Sequence, residues 1–336
     1  TTATTNSYTF NNLFSKTSYS IKVKVVDSSG KESTVVSKSV TTSASTTTLA
    51  AKVKSKYTSQ GSNGIYYHTS SLANSAGDNS YRYAGANPNN YVCFGSTASS
   101  CPSKNLYRII GVFGDQVKLV KATYATTAEI GTVAHNSNNW FYWSGSSNNT
   151  SNTWSSSTLN TSSLNGTFLT NLGTTWTNKI ATTNWQVGGI PYNIGTRSNS
   201  KTTYSYELGS NKSSTTYSAK IGLPYLSEYY YAASPTYWTY PGYNDDKNDY
   251  RAAIDDNWMY NDTGFYTISA ASDIPSNHVF LVQRDLYSSD GLQYGGYVES
   301  IYPQAALNVY PSFILLSSVK ISGGTGTESD PYRIEL

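Results

Sequence analysis

Two cysteines, three histidines and one stretch rich in acids and tyrosines are the groups in this 336-residue chain whose types and spacing could support chemistry. Cys93 and Cys101, in YVCFGSTASSCPSKN, lie eight residues apart in a Gly/Ser-rich loop. That separation suits a short disulfide in an oxidising compartment, with two idle thiols or a metal or redox pair as the alternatives. C-x7-C matches no common zinc spacing, and no histidine is near it in sequence. His68, His135 and His278 lie in no HExxH, and no GxSxG surrounds a serine, so the chain reads as a non-enzyme. His68 follows a strand-like IYY and the other two fall in polar loops, where structural or surface roles are the ordinary ones.

The third group is EYYYAASPTYWTYPGYNDDKNDYRAAIDD, residues 228–256. Ten of the chain's 31 tyrosines fall between Pro224 and Tyr266, with Trp238, Trp258 and six aspartates. Tyr and Trp offer large rigid area with few rotors and dominate contact energy at interfaces. Carboxylates accept paired hydrogen bonds from hydroxyls and cations. Together these suit a glycan- or protein-binding surface. The competing use of the rings is as core in a chain poor in aliphatics. Tyr229, Tyr231, Trp258 and Tyr260, which flank regular-looking segments, are expected in the core. Tyr237, Tyr240, Tyr243 and Tyr250, which sit among turn residues, are expected at the surface. The ligand-binding set is Tyr237, Trp238, Tyr240, Tyr243, Asp245, Asp246, Asn248, Tyr250, Asp262, Asn277, His278, Tyr287 and Tyr297. Calcium is a weaker reading of the same stretch. Asn244, Asp246, Asn248, Tyr250 and Asp255 fall at positions one, three, five, seven and twelve of an EF-hand-like register. Position six is Asp249 rather than glycine and position twelve is Asp rather than Glu, so no cofactor is expected.

Composition narrows the classes. Charged residues make up 13% of the chain and hydrophobic ones 38%, while Tyr, Phe and Trp number 31, 9 and 7. A tyrosine can bury its ring while its hydroxyl finds a partner, so it can replace aliphatic core. A single Met and abundant Ser, Thr and Asn fit a secreted or cell-surface, β-rich protein. The net charge of +3 is too mild for a nucleic-acid footprint, and no Lys/Arg cluster stands out. No apolar run approaches the roughly 20 residues of a membrane span. The opening TTATTNSYTF reads as the middle of a domain, with no signal peptide.

The elements that must position these groups can be read from periodicity. Tyr19, Ile21, Val23 and Val25 alternate with Ser20, Lys22 and Lys24, which predicts a half-buried strand. DSSG then makes a turn, and residues 33–40 return. TTSASTTT (41–48) is a Ser/Thr linker, and Leu49, Val53 and Tyr57 behind a Thr cap predict a short amphipathic helix. NGIYYHT and NSYRYAGANPNNYVCFG read as short strands. Residues 106–113 and 117–122 flank GDQ as a hairpin. Leu164, Phe168, Leu172, Trp176 and Ile180, four apart, predict a helix despite Gly166 and Gly173. The C-terminal LNVYPSFILLSSVKISGGTGTESDPYRIEL reads as strands joined by a Gly-rich turn.

The ordered set DNSYRYAGANPNNYVCFG, LYRIIGVFGDQVKLV, NTWSSSTLNTSSLNGTFLTNL, NWMYNDTGFYTIS and VYPSFILLSSVKISGGTGTESDPYRI, over about residues 60–336, resembles the C-type-lectin-like domain of uncharacterised surface proteins from Gram-positive gut bacteria. Tyr310 stands before Pro311 where that pattern has Arg. Residues 6 to about 42, with Leu13 six residues before Tyr19, resemble the end of a fibronectin type III domain, in which such a Tyr pins the corner before a strand. The resemblance implies an α+β chain. Residues 1–42 would be a partial all-β fibronectin-like sandwich, truncated or completed by another chain. Residues 43–59 would be a linker and short helix, and residues 60–336 a C-type-lectin-like domain with short strands and one or two helices. It further implies an extracellular adhesin or pilus-tip protein that binds a host or microbial surface protein or glycan through residues 236–302. That surface is of the kind that diversity-generating retroelements randomise on a fixed scaffold. The alternative is a pilus or filament subunit that self-associates through its aromatic surface. Formylglycine-generating enzymes share a related fold, but both cysteines here lie away from the C-terminal half where that chemistry would be expected.

Overall fold

A computed structural model describes residues 7–11, 13–137, 139–240, 252–261, 263–273, 277–283, 286–287, 293–294 and 298–336. The chain is α+β: several small, mostly antiparallel sheets and a few short helices. The largest sheet of the described residues has nine strands. Its main path runs Ile221–Gly222, Ser312–Ile314, Gln116–Lys121, Leu106–Phe113, Tyr91–Cys93, Tyr332–Ile334 and Ile321–Gly323. Tyr81–Tyr83 also pairs with Leu106–Phe113, further along it, and carries Ile65–Tyr67 beside it.

The hairpin expected at 106–122 is the middle of this sheet. Leu106–Phe113 is buried on both faces along almost its whole length, as its near-continuous apolar run requires. A register shift between Ile109 and Gly111 bends it. A Cβ on Gly111 would sit 2.5 Å from the Tyr81 carbonyl oxygen, so only glycine lets the neighbouring strand approach. At the C-terminus, Gly324 and Gly326 take positive φ and turn the chain between the last two strands.

The helices are less regular than the period of four suggests. Leu159–Phe168 is a π-helix whose i→i+5 bonding widens the turn, so Leu159, Ser163, Leu164 and Phe168 share the buried side. Leu169–Leu172 continues as α-helix until Gly173, at φ +80°, ends it, and Thr174–Thr177 carries the buried Trp176 as a separate turn. Thr48 caps Leu49–Lys54 through its hydroxyl, 3.1 Å from the Ala51 amide. That helix stops before Tyr57.

Aromatics fill the core. Trp143, Trp154, Trp185 and Trp238 are fully buried, as are Tyr107, Tyr231, Tyr266 and Tyr332. Two of the tyrosine hydroxyls find carbonyl acceptors: Tyr230 donates to Gly195 at 2.6 Å and Tyr231 to Asn74 at 3.1 Å. Cys93 and Cys101 form the disulfide, anchoring their loop to the strand that pairs with Tyr332–Ile334.

The N-terminal strands pair as expected, Ser18–Val23 with Val36–Thr41. Their apolar face is half-buried at Tyr19 and Ile21, but its valines are not. Val23 is 58%, Val25 67% and Val36 69% exposed, and Val23 stands directly opposite Val36. Nothing among the described residues packs over it, because this ribbon forms a two-stranded sheet of its own. Its contacts with the rest lie at its base, where the Ser15 amide donates to the Ser322 carbonyl at 2.8 Å and the Ser15 hydroxyl reaches Glu335.

Candidate ligand-binding surface

The stretch 228–256 begins as core. Leu226–Ala232 is a helix in which every residue is buried, so Tyr229 and Tyr231 pack inside as expected, with Tyr230. Two buried carboxylates hold its start. Glu207 accepts from the Leu226 and Ser227 amides at 3.0 and 2.7 Å, and Glu228 from the Tyr225 amide at 2.9 Å. Lys118, from the central hairpin, pairs with both Glu228 oxygens at 2.7 and 2.8 Å and faces the rings of Trp185 and Tyr225. Burial raises the Glu207 carboxyl above its ordinary range, against hydrogen bonds from Ser227, Ser269 and Leu226.

Packing does not stop at Pro235. Pro235–Tyr237 forms a short turn that drives Trp238 back inside. Trp238 is fully buried, donates its indole N–H to the Ala233 carbonyl at 2.8 Å, and packs on Tyr66, His68 and Tyr231. It is therefore an anchor, not the displayed contact residue its place among turn residues suggests. Tyr237 and Tyr240 flank it, both half-buried, edge to face with centroids 5.4 Å apart.

The chain returns to the same place. The Ser234 amide donates to Asp256 at 2.9 Å, and Asn257 bridges to both Ala233 and Gly85. The Asn257 side chain donates to the Tyr229 carbonyl at 2.8 Å, and the Trp258 indole to that of Tyr83 at 2.8 Å. Trp258 is buried as expected, but Tyr260 is only half-buried. Tyr243, Asn244, Asp245, Asp246, Asn248, Tyr250, Asp262 and Tyr297 lie outside the described residues. So does the side chain of Tyr287, whose backbone pairs with Gln293. Asp255 is exposed. Among the described residues no three His, Cys, Asp or Glu side chains converge as a metal site would need.

Where the returning chain meets the central hairpin, a cleft of about 240 Å³ opens. Trp258, Tyr260, Tyr310 and Tyr91 contribute to its walls, with Arg108 inside and Glu328 at the rim. Arg108 is 9% exposed and lies between the rings of Tyr91 and Trp258, 4.5 and 4.6 Å from their centroids. Its Nε donates to Asn90 Oδ1 at 2.7 Å, Nη1 to the Trp258 carbonyl at 3.0 Å and Nη2 to the Pro88 carbonyl at 3.1 Å. Burial lowers its pKa to about 10, against the pull of Tyr91 and Glu328. Tyr310, where the resembled pattern has Arg, buries its ring, and its hydroxyl bonds with Asn261 and Thr263.

The remaining expected site residues lie apart from this cleft. His278 is half-buried, with Nδ1 2.9 Å from the Ser300 hydroxyl and its ring edge-on to Tyr302, and Asn277 beside it is half-buried too. A second cavity of about 240 Å³ includes Ser300, Glu299 and Arg197 in its lining. His135 packs on Phe141. His68 is fully buried, and its Nδ1 accepts from the Ala76 amide at 3.1 Å. Sequence reasoning missed Arg108, whose only signal is a lone guanidinium inside an otherwise apolar strand. It also missed Asp256, one of many aspartates in its stretch.

Comparison of the chain with known protein families, with curated proteins and with solved structures finds no match. No helix among the described residues is long and apolar enough to cross a membrane.

Proposed function

We propose that the chain is a non-enzymatic binding protein of the bacterial cell surface, an adhesin or pilus-tip module that recognises a protein or glycan ligand. The observation that carries this is the Tyr237–Tyr240 pair, half exposed on a fully buried Trp238, with the Trp258–Tyr260 cleft on the returning chain. Rigid rings mounted on a packed base lose little entropy on binding, which suits them to recognition. In this reading residues 60–336 are a C-type-lectin-like domain. The hydrogen bond from the Phe14 amide to the Tyr19 hydroxyl, 2.8 Å, supports a fibronectin-like corner before it. The disulfide favours an oxidising, extracellular setting. The same reading expects substitutions between strains to concentrate at Tyr, Asn and Asp positions of 237–302.

The test is a screen of the intact chain and its Tyr240→Ala variant on arrays of glycans and surface proteins. The expected result is a ligand lost in the variant while its unfolding midpoint stays put. Unfolding of the variant, or unchanged binding, overturns the assignment of this surface.

The exposed valine face of the N-terminal ribbon favours a second reading, a pilus or filament subunit whose neighbour covers that face. Sedimentation of the intact protein separates the two. Assembly that Val36→Lys abolishes supports the filament, and a monodisperse monomer at all concentrations overturns it.

A further inference from the structure

We propose that the Arg108 cleft binds the carboxylate of an acidic sugar, a uronic acid or a residue of that kind in a glycan. This rests on the reading of the chain as a binding module and names the chemistry one of its subsites takes.

Four cations of the described residues are buried: Arg82, Arg108, Lys118 and Lys121. Three have a carboxylate partner: Arg82 pairs with Asp78 at 2.6 Å, Lys118 with Glu228 at 2.7 Å and Lys121 with Glu129 at 3.0 Å. Arg108 hydrogen-bonds only to the neutral oxygens of Asn90, Trp258 and Pro88, and Glu328, which acts on it through its charge, makes no ion pair with it. A buried charge is ordinarily paired, and leaving one without a counter-ion is costly. Those three bonds use three of the five guanidinium hydrogens and leave one on each Nη. Arg108 lines the cleft, and two donors on one guanidinium match the two oxygens of a carboxylate. Between the Tyr91 and Trp258 rings the guanidinium is already fixed in place, so little ordering is left for binding to cost.

The walls select the rest of the ligand. Tyr260 and Phe265 bring aromatic carbon to the cleft, suited to the C–H face of a sugar ring. The Tyr310 hydroxyl and the Asn261 side chain, already bonded to each other, line it as well and can exchange hydrogen bonds with ring hydroxyls. Glu328 at the rim acts against an anion, which gives the proposal a signed test.

The experiment is titration of the full chain with D-glucuronate, D-glucose and L-glutamate, followed by calorimetry and by NMR shifts of the indole N–H signals. Glucuronate is expected to bind at least tenfold more tightly than glucose and to weaken as salt is raised. Glu328→Gln should tighten glucuronate several-fold, and Ala86→Trp, which fills the mouth without touching the bonds of Arg108, should abolish binding. Arg108→Lys should weaken it at least tenfold. Equal binding of glucose and glucuronate, or indifference to both Glu328→Gln and Ala86→Trp, overturns the proposal. Glutamate binding without glucuronate overturns the sugar assignment in favour of an acidic peptide. If glucuronate fails while array ligands remain sensitive to Tyr240→Ala, the subsite assignment falls and the binding-module reading stands.

Discussion

The Ser234 amide donates a hydrogen bond to the Asp256 carboxylate at 2.9 Å, joining residues twenty-two apart. It closes the base of the excursion that carries Tyr237 and Tyr240, and the Asn257 bridge to Ala233 sits directly beneath it. Asp256→Ala removes a charged acceptor and is expected to cost about 1–2 kcal/mol. Faster hydrogen exchange at the Ser234 amide, with the central hairpin unchanged, is the result that checks it. An unchanged rate would mean the closure is not held by this bond.

Trp238 and Tyr240 are two residues apart and should behave oppositely. Trp238→Ala empties a fully buried site and is expected to cost about 3–5 kcal/mol in urea unfolding. Tyr240→Ala should cost about 1 kcal/mol or less. Equal losses would place both rings in the core.

Acid should weaken the fold in two stages. His68 is buried, and burial, with Arg82 nearby, holds its pKa well below 6.5 in spite of Asp78. Its folded pKa is depressed, so the unfolded chain takes up the proton first. The contribution is complete above pH 6.5 and falls below it by at most about 1.4 kcal/mol per pH unit. Burial alone would raise Asp78, but Arg82 and hydrogen bonds from Ser80 bring it down to about 2. Its contribution, roughly 2 kcal/mol, is present above pH 3.8 and is lost as pH falls towards 2. Unfolding midpoints of the wild type and of His68→Phe between pH 7.5 and 5 isolate the first stage. Parallel curves for the two would rule it out.

Lys118 and Glu228 are buried together. Lys118→Met strands a carboxylate inside and is expected to cost about 3–5 kcal/mol. Adding Glu228→Gln, which keeps an acceptor for the Tyr225 amide, should restore part of that loss. A cycle of the two variants reads the coupling, and strict additivity would mean the pair does not interact.

Much of the frame was legible because it is local. Two apolar runs either side of GDQ marked the hairpin at residues 106–122, Thr48 announced a helix start, and the spacing of Cys93 and Cys101 allowed their disulfide. The four-residue spacing from Leu164 to Ile180 found a helical region, but not its division into a π-helix, a short α-helix and a break at Gly173. The candidate site was legible only in its placement. Tyr237 and Tyr240, expected at the surface, are half-buried, whereas Trp238 between them turned inward.

By itself, then, the sequence determined periodicity, turns, a cysteine spacing that permits a bridge, and a core that must draw on tyrosine. Tertiary structure alone decided which rings are buried, that Arg108 enters a cleft with no carboxylate bonded to it, and that the valines of the first hairpin stay uncovered. The physical reason is that burial and charge pairing are set by residues far apart in the chain, such as Arg108 and Trp258 or Lys118 and Glu228, and a local pattern carries no record of who the distant neighbour is.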